Sequence, residues 1–290
     1  MPMRRATRIA VCHCLINVTS YVDGERVGER QHAVTPSTDK PTLHDLLSFK
    51  VILFDLDGVL TPTANLHQQA WATMFQAFLA ERGERAYTDQ DYFTYLDGRR
   101  RDEAIQALLD SRGITVPFDR ADAGEDGDDD PADNTITGLG MRKNRDFLDL
   151  LTRGITPYPG SRRLVDAIND HNTSCLSDPT HMGVVSSSKN APVVLESAGL
   201  THYFPHIVDG TTAEEKNLKG KPAPDTYIYG AELFGLSPAD AVIVEDATSG
   251  VAAGKNGEFG YVLGVNRGAG EDALRASGAH AVVNDLAELM

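Results

Sequence analysis

Short, mostly apolar runs separated by helical patterns are the feature that most constrains the fold of this chain. Five of these runs lie in the second half of the sequence, at 183–187, 206–209, 241–245, 261–265 and 281–283. A sixth run, Val51–Phe54, precedes the others by a long stretch of sequence. Runs of this length are typical of strands buried on both faces, and strands that alternate with helices form parallel sheets. The sequence therefore predicts an α/β fold with a doubly wound parallel sheet.

A long helical region separates the first predicted strand from the rest. Apolar residues recur there every three or four positions in three stretches, at 66–83, 102–112 and 141–153. The Pro- and Gly-rich segment 157–160 then predicts a domain boundary. We therefore expect a helical cap domain, 64–156, inserted into a core domain formed by 49–63 and 157–290.

Two segments show no regular apolar spacing. Residues 1–48 predict a poorly ordered N-terminal extension. Residues 119–133 hold eight acidic residues and one arginine, which predicts a solvated acidic loop in the cap. So much negative charge would oppose phosphate binding, and we expect this loop to lie outside any phosphate-binding cleft.

Composition excludes several classes of protein. The net charge of −15 opposes general binding of nucleic acid, and no apolar run is long enough for a membrane-spanning helix. Three cysteines are too few for a disulfide framework, which favours a reducing, cytoplasmic environment. We expect a monomer that acts on a small molecule, with no nucleic-acid or membrane partner.

Side chains that can carry chemistry lie at or near the ends of the predicted strands. Asp55 and Asp57 follow the first strand, Ser186 ends the second, and Glu245-Asp246 end a later one, while Lys221 precedes a helix. Each has an ordinary interpretation alone, as a turn, a satisfied hydroxyl or a surface charge. Together, in this order, they supply the groups needed for Mg²⁺-assisted phosphoryl transfer through a carboxylate nucleophile.

These four motifs resemble those of the haloacid dehalogenase superfamily. The resemblance covers about residues 50–285, and within the superfamily the sequence is most similar to β-phosphoglucomutases and related sugar-phosphate phosphatases. Five segments carry this closer similarity: 54–60, His67, 142–144, 186–190 and 221–225. The resemblance implies a Rossmann-like core with an inserted cap.

The resemblance also implies roles for the motif residues. Asp55 would be the nucleophile that becomes an aspartyl phosphate, and Asp57 the general acid and base. Ser186 and Lys221 would hold the transferring oxygens. Mg²⁺ would be held by Asp55, the backbone carbonyl of Asp57 and Asp246, with Glu245 nearby.

The remaining matched positions imply how a sugar phosphate would be bound. His67 would act near Asp57. The other positions would contact the sugar or its distal phosphate: Gly98, Arg101, Lys143, Asn144, Ser188, Lys189 and Asn190. For Arg99 and Arg100 a solvated, purely structural position stays open.

The implied reaction is the interconversion of β-glucose 1-phosphate and glucose 6-phosphate through a bisphosphate intermediate. A sugar-phosphate phosphatase is the alternative, because Asp97 and Arg100 replace a lysine and a serine of well-known mutases. A non-catalytic binding relative is less favoured, since all four motifs are present. We also expect the cap to close on the ligand, with hinges near 61–65 and 153–160.

Overall fold

A six-stranded parallel sheet organises the protein. In the computed structural model, which describes residues 40–119, 130–177 and 179–290, the strand order is β3-β2-β1-β4-β5-β6. The strands are β1 (Val51–Phe54), β2 (His181–Val185), β3 (His206–Val208), β4 (Ala241–Glu245), β5 (Tyr261–Val265) and β6 (Ala281–Val283). The predicted doubly wound parallel sheet is confirmed.

Helices cover both faces of the sheet and form the cap. They are α1 (Leu43–Leu46), α2 (Thr63–Ala80), α3 (Asp89–Asp91), α4 (Arg101–Ser111), α5 (Ile136–Leu151), α6 (Pro159–Ser174), α7 (Ala191–Ser197), α8 (Gly210–Glu215), α9 (Asp225–Glu232), α10 (Thr248–Asn256) and α11 (Glu271–Ser277). A π-helical turn covers Tyr92–Leu96, and 3₁₀ turns cover Thr201–Tyr203, Pro238–Asp240 and Leu286–Leu289.

Alternate residues of the strands enter two different apolar clusters. In β1, Ile52 and Phe54 belong to one cluster, whereas Val51 and Leu53 belong to the other. Successive side chains of a strand point to opposite faces, so the two clusters are the layers on either side of the sheet. This explains why β1 is an unbroken apolar run.

The helices between β1 and β2 include a cap with its own apolar core. Trp71, Phe75, Phe78, Ile105 and Leu139 are buried together there, apart from the two layers that flank the sheet. The inserted helical cap expected from the sequence is thus present.

Helix α5 begins at Ile136, five residues before the predicted start at 141. The Thr135 hydroxyl caps the helix by accepting a hydrogen bond from the Gly138 N–H, at 2.9 Å. Glycine is a poor helix former, and the two glycines of this first part hide the helical pattern. Gly140 instead permits close packing, since a Cβ there would lie 3.1 Å from Cδ of Arg101.

The links between the cap and the core overlap the predicted hinges only in part. Helix α2 begins at Thr63 and helix α6 at Pro159, so the last residues of both predicted hinges lie in helices, and cap closure itself stays a prediction. Proline suits the first turn of a helix because it needs no N–H donor there. The segments outside regular helices and strands are 55–62 and 152–158.

The predicted N-terminal extension and acidic loop are only partly covered by the structure. Residues 1–39 and 120–129 lie outside the described residues. The prediction of poor order up to residue 48 is wrong for its last part, because α1 carries a capping box between Thr42 and Asp45 and buries Leu46 in the core. Among the described residues, no helix combines the length and apolar character needed to cross a bilayer.

Candidate active site

The carboxyl ends of β1, β2 and β4 meet beneath the cap, where they form the floor of a cleft. Its volume is about 280 Å³, close to the lower limit of about 300 Å³ for small-molecule sites. The core contributes Asp55, Asp57 and Asp246 to its lining, and the cap contributes Arg101 and Lys143. We call the part around Asp55 the reaction end and the part around Arg101 and Lys189 the distal end.

A buried lysine joins two carboxylates at the reaction end. Lys221 Nζ lies 2.6 Å from Asp55 Oδ1 and 2.6 Å from Glu245 Oε1, and it donates to the carbonyl of Val185 at 3.2 Å. Burial raises the pKa of Asp55 well above its ordinary value, although the ammonium of Lys221 opposes this shift. Burial alone would lower the pKa of Lys221, but the two carboxylates raise it, and we expect the lysine to stay charged.

Both carboxylate oxygens of Glu245 accept hydrogen bonds. Besides Lys221, its Oε1 accepts a hydrogen bond from Tyr227 Oη at 3.0 Å, and its Oε2 accepts one from the N–H of Ala247 at 3.1 Å. These contacts fix the carboxylate that orients Lys221. Tyr227 is fully buried and carries no motif signal in the sequence.

Asp55, Glu245 and Asp246 could together hold a metal ion. One carboxylate oxygen of each lies within 4.8 Å of the others, and all three residues are buried. Burial, followed by the charges of Asp97 and Asp55, raises the pKa of Asp246 well above its ordinary value. The single charge of Lys221 cannot offset three carboxylates, and hard oxygen donors suit a divalent cation such as Mg²⁺. The donor set therefore fits the predicted metal.

The Asp57 side chain points away from this carboxylate cluster. It accepts hydrogen bonds from Thr63 Oγ1 and from Ser186 Oγ, the latter at 3.3 Å, and His67 Nε2 lies 3.4 Å from its Oδ1. Burial would raise its pKa, but His67 and Thr63 together lower the pKa to about 2. Asp57 is thus an ionised carboxylate at neutral pH, and the metal contact of its backbone carbonyl stays a prediction.

The cap reaches Asp57 through His67. Lys143 Nζ contacts His67 Nδ1, and Lys143 also lies 5.1 Å from the ring centre of Trp71 and 4.9 Å from that of Phe147. Burial and the charge of Arg101 lower the pKa of Lys143 well below its ordinary value. When Lys143 donates to Nδ1, the ring proton lies on Nε2 and faces Asp57.

At the distal end, neutral amides connect the cap to the core. Asn144 Oδ1 accepts hydrogen bonds from Arg101 Nη2 and from Asn190 Nδ2, both at 2.8 Å. The N–H of Asn190 donates in turn to Ser188 Oγ at 3.2 Å, and Lys189 forms an ion pair with Glu214. Arg101, Ser188 and Lys189 line the cleft, whereas the two asparagines are not part of its lining. Asn144 links Arg101 to Asn190.

Comparison with known proteins places this site in a family. A model of haloacid dehalogenase-like hydrolases matches residues 49–257. The chain belongs to the haloacid dehalogenase-like hydrolases. It is 44% identical over 254 residues to a β-phosphoglucomutase of Mycobacterium bovis, across 83% of this chain and 91% of that protein. It is 33% identical over 222 residues to a β-phosphoglucomutase of Bacillus subtilis, across 76% and 84% of the two chains.

A solved structure supports the fold of this haloacid dehalogenase-like hydrolase. The β-phosphoglucomutase of Clostridium difficile superposes with a TM-score of 0.64 at 23% identity, covering 83% of this chain and 93% of that one. At this level of identity the similarity supports the architecture and not the substrate.

In this haloacid dehalogenase-like hydrolase the cap lies directly on the core at Gly98. Ser187 Oγ donates to the Gly98 carbonyl at 2.8 Å, and Ser249 Oγ donates to the Asp97 carbonyl at 3.0 Å. Gly98 has a φ of +70°, and a Cβ there would lie 2.3 Å from Ser249 Oγ. A side chain would therefore strain the backbone and separate the two domains. Arg99 and Arg100 also line the cleft.

Three contributors to the site were not singled out from the sequence. They are Thr63 at Asp57, Tyr227 at Glu245 and Glu214 at Lys189. Thr63 lies eight residues after Asp55 and could have been suspected from its position shortly after the Asp-Gly turn. No signal in the sequence marks Tyr227 or Glu214, because each meets its partner only through the fold.

Proposed function

We propose that this protein is a Mg²⁺-dependent phosphosugar mutase that interconverts β-glucose 1-phosphate and glucose 6-phosphate. The observation that carries the proposal is one cleft with a carboxylate pair, Asp55 and Asp57, at one end and the cations Arg101 and Lys189 at the other. Such a cleft suits a sugar with a phosphate at each end. The 44% identity to a protein named β-phosphoglucomutase supports the same substrate.

In the first half-reaction, a carboxylate oxygen of Asp55 attacks phosphorus. The bond between phosphorus and the sugar oxygen breaks, its electron pair stays on that oxygen, and Asp57 supplies the proton. Lys221 neutralises charge near the attacking oxygen. A bound Mg²⁺ would add further neutralisation of the phosphoryl oxygens. In the second half-reaction Asp57 takes the proton of another sugar hydroxyl, whose oxygen attacks the phosphorus of the aspartyl phosphate. The bond between phosphorus and the Asp55 oxygen breaks, and Asp55 leaves as a carboxylate.

Asp57 needs both protonation states in this cycle. Thr63, Ser186 and His67 hold its carboxylate in place, and the low pKa leaves it deprotonated before a sugar binds. Asp57 must therefore gain a proton before it can act as the acid of the first half-reaction. His67 and Lys143 of the cap lie next to Asp57 of the core. Asp57 therefore has all of its partners as acid and base only when the cap and the core are in contact. This dependence on the cap would limit transfer to water while the sugar turns round.

At the distal end, Arg101, Ser188 and Lys189 would hold the phosphate that does not react. Asn144 and Asn190 would act as positioning residues, because their contacts orient Arg101. Gly98 would let the cap approach the core closely enough for both ends of the ligand to be held at once.

A sugar-phosphate phosphatase is the second candidate. It shares the first half-reaction, and water instead of a sugar then accepts the phosphoryl group from Asp55. The observation that favours it is Asp97, a carboxylate that lines the cleft where well-known mutases have a lysine. Burial raises the pKa of Asp97 to about 6.

Product analysis separates the two candidates. The protein is incubated with Mg²⁺, β-glucose 1-phosphate and a trace of glucose 1,6-bisphosphate, and phosphorus NMR follows glucose 6-phosphate and inorganic phosphate. We expect glucose 6-phosphate as the main product. Inorganic phosphate as the main product would overturn the mutase proposal, and the Asp55→Asn variant controls for contaminating activity.

A further inference from the structure

In the cleft, Lys189 is paired with an acidic side chain. Its ammonium forms an ion pair with a carboxylate oxygen of Glu214, and the two side chains are 47% and 57% exposed. Both residues line the same cleft. A ligand phosphate that reaches Lys189 must therefore compete with Glu214.

The fold places Glu214 beside Lys189. Glu214 lies one helical turn after Gly210 in α8, whose start is capped by Asp209 through the N–H of Thr212 at 2.8 Å. A Cβ at Gly210 would lie 2.9 Å from Cγ of Lys189 and 2.8 Å from the Ser187 carbonyl. The helix thus begins in contact with the loop that carries Lys189, and the two opposite charges face each other across this contact.

Glu214 stays negatively charged in this position. The hydrogen bond from Lys189 lowers the pKa of Glu214, and the charge of Arg100 adds to this effect. An exposed ion pair is weak, however, and a dianionic phosphate can displace its carboxylate. The ion pair therefore positions the ammonium of Lys189 and still allows a phosphate to bind it.

We propose that Glu214 competes with the distal phosphate for Lys189 and thereby weakens the binding of the bisphosphate. In the absence of ligand, Glu214 neutralises the lysine, and during release it replaces the departing phosphate. This inference rests on the proposed function, because a mutase must release each end of its bisphosphate for the sugar to turn round. Glu214 limits how tightly the distal end holds that intermediate.

Equilibrium binding tests this competition without turnover. In the Asp55→Asn background with Mg²⁺, calorimetry measures the affinity for glucose 1,6-bisphosphate with and without Glu214→Gln. We expect Glu214→Gln to tighten binding about two- to five-fold, the range that an exposed ion pair can contribute. The gain should appear mainly as slower dissociation in stopped-flow experiments.

Two control variants make the result specific. Glu271→Gln removes an exposed carboxylate whose ion pair with Arg275 lies on α11, and it should leave the affinity unchanged. In a Lys189→Met background, Glu214→Gln should no longer tighten binding, because the cation for which it competes is absent.

Several results would overturn the inference. Weaker binding by Glu214→Gln would mean that Glu214 only positions Lys189, and unchanged binding would mean that the two do not compete. Equal tightening in the Lys189→Met background would point to a general charge effect. None of these depends on whether sugar or water accepts the phosphoryl group, which product analysis decides separately.

Discussion

At the reaction end of the cleft Asp55 and Glu245 share one buried lysine, whereas at the distal end Arg101 contacts a neutral amide and Lys189 an exposed carboxylate. The first arrangement is enclosed by strands of the core. The second is divided between the cap and a loop and a helix of the core.

The difference suits the proposed function of each end. Phosphoryl transfer needs charges fixed in advance, because any reorganisation adds to the barrier. Recognition of a ligand that would bind, turn and leave needs contacts that can be exchanged. Buried charge pairs are costly to break, while exposed pairs exchange easily. Variants at the two ends should therefore fail in different ways.

The largest effect should come from removing Asp55, the proposed nucleophile. Asp55→Asn keeps the shape of the side chain but cannot form the aspartyl phosphate, so we expect kcat to fall about 10⁴-fold or more. Binding of glucose 1,6-bisphosphate should persist. Turnover assays and calorimetry measure the two effects, and substantial turnover by this variant would refute the role of Asp55.

Arg101→Ala should affect recognition more than chemistry. A charged hydrogen-bond donor contributes about 1.5–3 kcal/mol, so we expect KM for the bisphosphate to rise about 10- to 100-fold with a much smaller change in kcat. Arg145→Ala, at an exposed arginine of the same cap, is the matched control. A loss confined to kcat would contradict the division between the two ends.

Asp57→Asn should reveal a stabilisation that depends on pH. Because the folded-state pKa of Asp57 is lowered to about 2, its stabilising contribution is present above the ordinary pKa and disappears as pH falls through the folded value. We expect the variant to lose about 2 kcal/mol of unfolding free energy at pH 7. The loss should shrink below pH of about 4.

Urea unfolding at pH 7 and pH 3 measures this difference for Asp57→Asn, with Asp149→Asn on the exposed side of α5 as the control. A difference that grows as the pH falls would mean that the carboxylate of Asp57 is not stabilised by its neighbours.

The smallest effect should come from a contact that joins the cap to the core. Ser249→Ala removes the hydrogen bond to the Asp97 carbonyl, and we expect a loss of about 0.5–1.5 kcal/mol in unfolding free energy. A few-fold decrease in kcat/KM should accompany it, because the cap is held less firmly. Ser277→Ala, on α11 away from the cleft, should leave kcat/KM unchanged. Equal decreases in both variants would mean that the Ser249 contact does not contribute to activity.

The reaction end could be predicted largely from the sequence. The apolar run 51–54 and the run 241–245 each end in acidic residues, and parallel pairing of β1 with β4 brings those ends together. The order of strands and helices along the chain then predicts that Ser186 and Lys221 lie at the same edge of the sheet. The start of α5 was missed because Gly138 and Gly140 weaken the helical signal, although they are needed for close packing.

The distal end could be predicted only in part. The sequence pointed to Arg101 and Lys189 through their resemblance to family positions, but not to the carboxylate of Glu214 that pairs with Lys189. These two residues are 25 positions apart, and no periodic pattern relates a loop to the helix that packs on it.

The sequence by itself determined the parallel sheet and the carboxylates at its carboxyl edge, because strand length, apolar character and the position of polar residues are local properties. Only the tertiary structure decided which partner each charge has. Lys143 becomes a buried neighbour of His67, and Tyr227 a donor to Glu245, through contacts between distant segments. Such partners set the protonation of the site, and they depend on burial and distance, which are properties of the folded chain.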